Sequence, residues 1–190
     1  VRVPLAPEDL QRIEAQYPEF EDIIDLTPLQ EGMYFHHLHG GHARAYLVQQ
    51  AFSIRETAGV EGLSASEATE RVADVFAMSL ARHPVLRARY VSANLERPRA
   101  VILPSDRPDV FLARPEVSAD APPMAEVQTV MDSDLDMGFD LALMPAVRLT
   151  IIETRSDLLL LLSYHHIALD GWSLSILLHE LLDGLSSGRI

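Results

Sequence analysis

Residues 158–162 are five consecutive leucines, the longest apolar run in the chain. A bilayer span takes about 20 apolar residues, so a run this short is a buried strand. It leads directly into Ser163-Tyr164-His165-His166. Neighbouring residues of a strand face opposite sides. If the strand reaches His166, the two histidines cannot meet on one metal ion. One turns into the protein and the other toward a cleft. Residues 146–153 form the other half of a strand pair, joined to it by the turn Thr154-Arg155-Ser156-Asp157.

The remaining periodicity supplies helices and further strands. Ser64-Ala65-Ser66-Glu67 opens the strongest helix, in which Ala68, Val72, Val75, Phe76 and Leu80 recur at helical spacing. Pro84 ends it near His83, because the residue before a proline avoids the helical region. Thr27-Pro28-Leu29-Gln30 is a second helix entry: Thr27 caps, Pro28 suits the first position, and Gln30 completes a capping box. That helix runs to about Leu38 and stops at Gly40-Gly41. Residues 124–137 and 173–182 are also helical, and Ser186-Ser187-Gly188 trails off. Strands fit 46–54, 86–91 and 100–103. The proline- and acid-rich segment 104–123 reads as a surface excursion. Residues 1–21 read as a linker from an upstream domain, with a short helical pattern in residues 7–16. The order βα(ββ)α(ββ)α predicts an α+β fold, a layered α/β sandwich with helices on a mixed sheet.

Composition narrows the chemistry. At 190 residues, 48% apolar and 23% charged, the chain is a folded protein of one domain. It has no Cys, hence no disulfide, thiolate ligand or thiol nucleophile. All fifteen basic residues are Arg, so there is no Schiff-base lysine and no phosphate-loop lysine. A net charge of −13 argues against a general nucleic-acid or anionic-membrane binder. No signal peptide opens the chain, and a cytoplasmic protein is expected. Arg82, Arg87, Arg89, Arg97 and Arg99 make a local basic strip, read as solvated arginines on strand edges.

The eight histidines fall mainly into two clusters. His36, His37, His39 and His42 surround the end of the Thr27 helix. Adjacent helical residues point about 100° apart, and no carboxylate completes a set at ligand spacing, so no metal site is expected there. His83 and His179 read as structural. The second cluster carries more chemistry. Gly171 permits a tight turn ahead of the Ser173 helix. Asp170, four residues beyond His166, either holds the imidazole or pins the loop by pairing with a buried Arg. A neutral histidine is a competent general base for an amine or hydroxyl.

His165-His166-Ile167-Ala168-Leu169-Asp170-Gly171 resembles the HHxxxDG signature of condensation domains in nonribosomal peptide synthetases. Asp25-Leu26-Thr27-Pro28-Leu29-Gln30-Glu31-Gly32-Met33 is similar to that family's first motif. Arg82-His83-Pro84-Val85-Leu86-Arg87 is similar to its RHxxLR motif. Gly138-Phe139-Asp140-Leu141, with Pro145 and Arg148, resembles the segment before the histidine strand. The resemblance implies the chloramphenicol acetyltransferase-like fold, two lobes forming a V around the active site. Residues 22–190 would be the N-terminal lobe, with the C-terminal lobe absent.

The resemblance also implies roles. His166 faces the reaction centre and positions or deprotonates the α-amine of an acceptor aminoacyl group. His165 supports it, Asp170 forms a structural ion pair with Arg82, and Gly171 lets backbone approach the substrates. No bound cofactor is implied. Both substrates arrive as thioesters on the phosphopantetheine arms of donor and acceptor peptidyl carrier domains, one of which precedes the linker 1–21. A chain without Cys or Lys fits direct transfer with no acyl-enzyme. The wording of 27–37 resembles the subtype that takes a D-configured donor. Tyr90 stands where the family often has Phe. The alternatives are an epimerisation-domain lobe, a carrier-docking module without catalysis, and a small acyltransferase that completes its cleft as an oligomer. The isolated lobe is expected to fold and not to catalyse condensation.

Overall fold

The structure, a computed structural model, describes residues 5–39, 44–54, 59–106, 112–113, 123–153 and 158–187. The expectations for Gly40-Gly41, His42, the 154–157 turn and Gly188 lie outside them, as does most of 104–123.

Strand β7 (Leu158–His165) lies inside a four-stranded sheet, between β2 (Leu47–Ser53) and β6 (Val147–Glu153), antiparallel to both. A two-residue strand, β5 (Leu112–Ala113), runs parallel to β6 and makes the sheet mixed. It falls within the segment expected to be an excursion.

The five leucines serve two faces. Leu158, Leu160 and Leu162 pack with Val72, Phe76 and Leu80 of α3 (Ala65–Arg82) and with Leu174, Leu177 and Leu181 of α5 (Gly171–Ser187). Leu161 packs the other way, with Ile152 and with Val127 of α4 (Pro123–Met137). Helices on both faces explain why no alternation of polarity survives in the run. Each fully buried leucine contributes about 1.5–3 kcal/mol.

Local signals set the helix ends. Ser64 accepts the Glu67 N–H while the Glu67 carboxylate accepts the Ser64 N–H, a capping box at the expected helix start. α3 stops at His83, before Pro84. Residues 84–87 then form a 3-10 turn, so the next strand, β3 (Ala88–Val91), starts two residues later than expected. α5 is longer than expected at both ends. Gly59 sits at φ +89, and a Cβ there would lie 1.9 Å from the Leu185 carbonyl oxygen, so this turn closes on the end of α5 only as glycine.

A second, three-stranded sheet has the order β1-β4-β3, all antiparallel, with β1 (Asp22–Asp25) and β4 (Arg99–Ile102). β1 was not anticipated. Helix α1 (Pro7–Gln16), in the stretch read as a linker, buries Ile13 against Val91 and Val101 of this sheet. α2 (Pro28–His39) follows β1.

The basic strip is not solvated as expected. Arg87, Arg89 and Arg99 are 4%, 1% and 4% exposed. Arg87 pairs with Glu21 at 2.6 Å and donates to the Leu80 and Leu103 carbonyls, both at 2.9 Å. Arg99 pairs with Asp25 at 2.7 Å, tying β4 to β1. Burial without partners would be prohibitive for a guanidinium, so these arginines fasten the small sheet. No helix among the described residues is long and apolar enough to cross a membrane.

Candidate active site

β7 delivers its last residues to the edge of both sheets' territory, and strand alternation separates the two histidines as expected. His165 is fully buried and His166 half-buried. The His166 N–H donates to the Tyr46 carbonyl at 2.9 Å, extending the β2–β7 ladder by one rung. Tyr46 has φ 63, in the left-handed region that an aromatic residue rarely occupies.

The turn after His166 is held by bonds at Ile167 and Ala168. Ile167 N–H donates to His165 Nδ1 at 3.1 Å. The Ile167 carbonyl accepts from Gln30 Nε2 at 2.9 Å and from the Tyr90 hydroxyl at 3.4 Å. Ala168 N–H donates to the His165 carbonyl at 3.1 Å. Gln30 therefore has two tasks. Its Oε1 accepts the Thr27 N–H in the expected capping box, while its amide reaches 137 residues along the chain to the turn. The hydroxyl that distinguishes Tyr90 from Phe is used in the same place.

His166 Nδ1 lies 3.0 Å from the Leu169 carbonyl oxygen. A carbonyl only accepts, so the contact assigns the proton to Nδ1 and, in the neutral ring, leaves a lone pair on Nε2. His165 has the opposite tautomer, because its Nδ1 accepts the Ile167 N–H. Burial, reinforced by the neighbouring His37 and His166, holds the His165 ring neutral and lowers its pKa to about 4. The His37 ring stands perpendicular to it, centroids 5.2 Å apart, a contact that nothing in the sequence reading anticipated.

The expected Asp170–Arg82 ion pair is absent, which corrects the sequence reading. Arg82 is 55% exposed and its Nε pairs with Glu180 at 3.3 Å. Glu180 also meets His83 Nε2 at 2.6 Å. Asp170 is exposed, and its carboxylate accepts the Ser173 N–H at 2.7 Å. That hydrogen bond lowers the Asp170 pKa and makes the residue the N-terminal cap of α5. Gly171 is the first residue of that helix and is not in the left-handed region, so the expected tight-turn role is also corrected. A Cβ at Gly171 would meet nothing within 4 Å.

A buried polar network on the α4 face of β7 takes the structural part that the Arg82 pair was expected to play. Cross-strand register sets Gln49, Ser163 and Arg148 in one row over β2, β7 and β6. All three converge on Asp134 of α4. Ser163 Oγ donates at 2.5 Å, Gln49 Nε2 at 2.7 Å and Arg148 Nε at 2.6 Å. Arg148 also donates to the Gly138 and Asp134 carbonyls and stacks over Phe139 at 4.7 Å. Burial alone pushes the Asp134 carboxyl up; the hydrogen bonds from Arg148 and Ser163 outweigh it and hold the group below its ordinary value. Among the described residues no three His, Asp or Glu side chains gather closely enough to hold a metal ion.

Residues 20–187 match the family model for the condensation domain. The chain belongs to the condensation-domain family. It is 35% identical over 161 residues to a linear gramicidin synthase of Brevibacillus parabrevis, covering 84% of this chain and 3% of that protein. It is 29% identical over 168 residues to a plipastatin synthase of Bacillus subtilis strain 168, covering 88% of this chain and 6% of that protein. Among solved structures, the starter condensation domain of the rhizomide synthetase superposes with TM-score 0.71 at 16% identity, over 90% of this chain and 41% of the other. The first condensation domain of the calcium-dependent antibiotic synthetase, in complex with a substrate analogue, gives TM-score 0.71 at 19% identity, over 90% and 39%. The fold is thus α+β, of the chloramphenicol acetyltransferase-like kind, and this condensation-domain chain spans about two fifths of the length of these structures.

Proposed function

We propose that residues 22–190 are the N-terminal lobe of a condensation domain and that His166 is its catalytic residue in peptide-bond formation. The observation that carries this reading is the His166 Nδ1 contact with the Leu169 carbonyl, which leaves Nε2 as a fixed acceptor on a half-buried ring. In the proposed reaction the α-amine of a carrier-bound acceptor donates a hydrogen bond to Nε2 and attacks the thioester carbonyl of a carrier-bound donor. The C–N bond forms, the C–S bond breaks, and the amine proton passes through the imidazole to the departing thiolate. His165 holds the turn from behind, and Asp170 holds the start of α5. The substrates come on phosphopantetheine arms of donor and acceptor carrier domains, in the cytoplasm. The wording of residues 27–37 favours the D-donor subtype over an epimerisation-domain lobe.

The lobe supplies one wall of the cleft. Trp172 is 79% exposed at the start of α5, shortly after the His166 turn, and Ile176 one turn on is also exposed, apolar side chains suited to a second lobe. Alignment of amine and thioester between two walls supplies about 7–11 kcal/mol of the barrier, most of which a single wall forfeits. A single-turnover assay with loaded donor and acceptor carriers tests this. A chain with both lobes should form dipeptide and the 190-residue chain should form none. Appreciable product from the 190-residue chain, together with a stable trimer in sedimentation, would favour an oligomeric acyltransferase.

A further inference from the structure

His165 has a ring nitrogen that the reading above leaves without a task. Its Nδ1 accepts the Ile167 N–H at 3.1 Å, so in the neutral ring the proton sits on Nε2. That atom is buried with no hydrogen-bond partner among the described residues. Buried polar atoms are nearly always satisfied, so this one asks for a physical account.

Two aromatic rings lie near it. His37, on α2, stands at 85° to the His165 ring with centroids 5.2 Å apart. Tyr46 is farther, at 6.0 Å and 48°. A perpendicular pair at the first distance is the arrangement in which one ring turns its edge to the π face of the other, and an N–H on that edge makes a weak hydrogen bond. A neutral imidazole keeps that face electron-rich, and burial holds His37 toward the neutral form.

We infer that His37 is a positioning residue whose ring receives the Nε2–H of His165 and so locks His165 in the tautomer that holds the Ile167 amide. With the proton on Nδ1 instead, two donors would face each other at Ile167. Ile167, the residue directly after His166, would then lose the anchor on its amide and keep only the Gln30 and Tyr90 bonds to its carbonyl. The lock itself stands on the geometry; its effect on turnover rests on the role proposed for His166.

Long-range 1H–15N correlation spectra of the histidine rings, with hydrogen exchange of the Ile167 amide, test the lock in this chain at neutral pH. The unmodified chain should show His165 neutral with its proton on Nε2. His37→Phe keeps a ring face without nitrogens and should leave both readouts unchanged. His37→Leu removes the face, and should populate the Nδ1–H tautomer and speed Ile167 exchange roughly tenfold. A proton on Nδ1 or a charged ring in the unmodified chain overturns the inference, and that measurement needs no variant to fold. So do unchanged tautomer and exchange in His37→Leu. In a chain with both lobes, His37→Leu should lower kcat with little change in KM, and His37→Phe should restore it; an unaltered kcat in His37→Leu overturns the positioning role. If the unmodified two-lobed chain makes no peptide, the proposed function falls while the ring spectra still decide the lock.

Discussion

The two faces of β7 at its C-terminal end handle charge in opposite ways. On the α4 face, Ser163, Gln49 and Arg148 enclose Asp134, and every one of the four groups is bonded within the network. On the α5 face His166 is half-buried and Asp170 and Arg82 stand at the surface, and Arg82 is held by one bond to Glu180 at 3.3 Å. The closed face contributes rigidity and the open face contributes accessible chemistry. A strand end flanked by one of each can present an imidazole to substrate without letting water into the core. Substitutions on the two faces should therefore separate cleanly, activity on one side and stability on the other.

The sharpest separation is at His166. In a chain with both lobes, His166→Ala should reduce dipeptide formation by about 10³–10⁴-fold, the upper part of the range for losing an acid–base group. The melting temperature of the 190-residue chain should hardly change, because this ring makes one hydrogen bond at the edge of the core. A variant that melts much earlier, or that condenses at a near-normal rate, would erase the distinction between the faces.

Asp134→Ala should do the reverse. It removes the buried carboxylate that faces Arg148, itself 1% exposed, from the interior, at a cost of about 3–5 kcal/mol in denaturant unfolding. Asp134→Asn keeps one acceptor, enough for Arg148, but turns an amide donor toward Gln49 and Ser163, so it should lose less than Asp134→Ala without matching the parent. Equal stability of Asp134→Ala and the parent would mean that the network is peripheral to the fold.

Acid should weaken the closed face first at His165. Its pKa is depressed from 6.5 to about 4, so between those values the unfolded chain binds the proton and the folded chain refuses it. The stabilisation is complete above pH 6.5 and is lost as the pH falls toward 4, amounting to about 3 kcal/mol at most. Asp134 adds a second loss lower down, below the ordinary carboxylate value, since its folded pKa is also depressed. Unfolding free energies at pH 7 and 4.5 check this, with His165→Asn as a reference that cannot charge. A parent chain whose stability is flat over that range would contradict the burial of His165.

What the sequence made legible was local. The opposed histidines follow from strand alternation, the start of α2 from a capping box, that of α3 from Ser64–Glu67 ahead of the helical periodicity, and the end of α3 from Pro84. The buried strand follows from five leucines in a row, while the helices that cover it on both faces belong to the fold. The unread features depend on distance along the chain. β1 is four residues, Asp22–Asp25, whose two isoleucines are flanked by acids and become a strand only by pairing with β4. Arg87 looked solvated because its partner Glu21 lies 66 residues earlier. Asp134 sits in an acidic stretch of α4 where nothing marks it off from Asp132 or Asp136, until register aligns Gln49, Ser163 and Arg148 beneath it. Gln30 was read correctly as a cap, but its reach to Ile167 needed the fold. The family motif paired Asp170 with Arg82, a long-range contact that the structure replaces with a local one.

That replacement yields the smallest expected effect and the finest discrimination. If Asp170 acts as the cap of α5, the property that matters is an acceptor 2.7 Å from the Ser173 N–H, and charge is secondary. Asparagine caps a helix nearly as well as aspartate, whereas alanine does not. Asp170→Asn should then melt close to the parent and Asp170→Ala somewhat below it, with both losses well short of that for Asp134→Ala. Arg82→Ala should be equally mild, since Glu180 keeps His83 at 2.6 Å when the arginine is gone. A salt bridge between Asp170 and Arg82 predicts a different pattern: Asn as harmful as Ala, Arg82→Ala as harmful as either, and no further loss in the double variant. Melting the three single variants and the Asp170→Ala/Arg82→Ala double variant decides between them. Additive losses in the double variant assign Asp170 to the helix cap, and non-additive losses restore the ion pair.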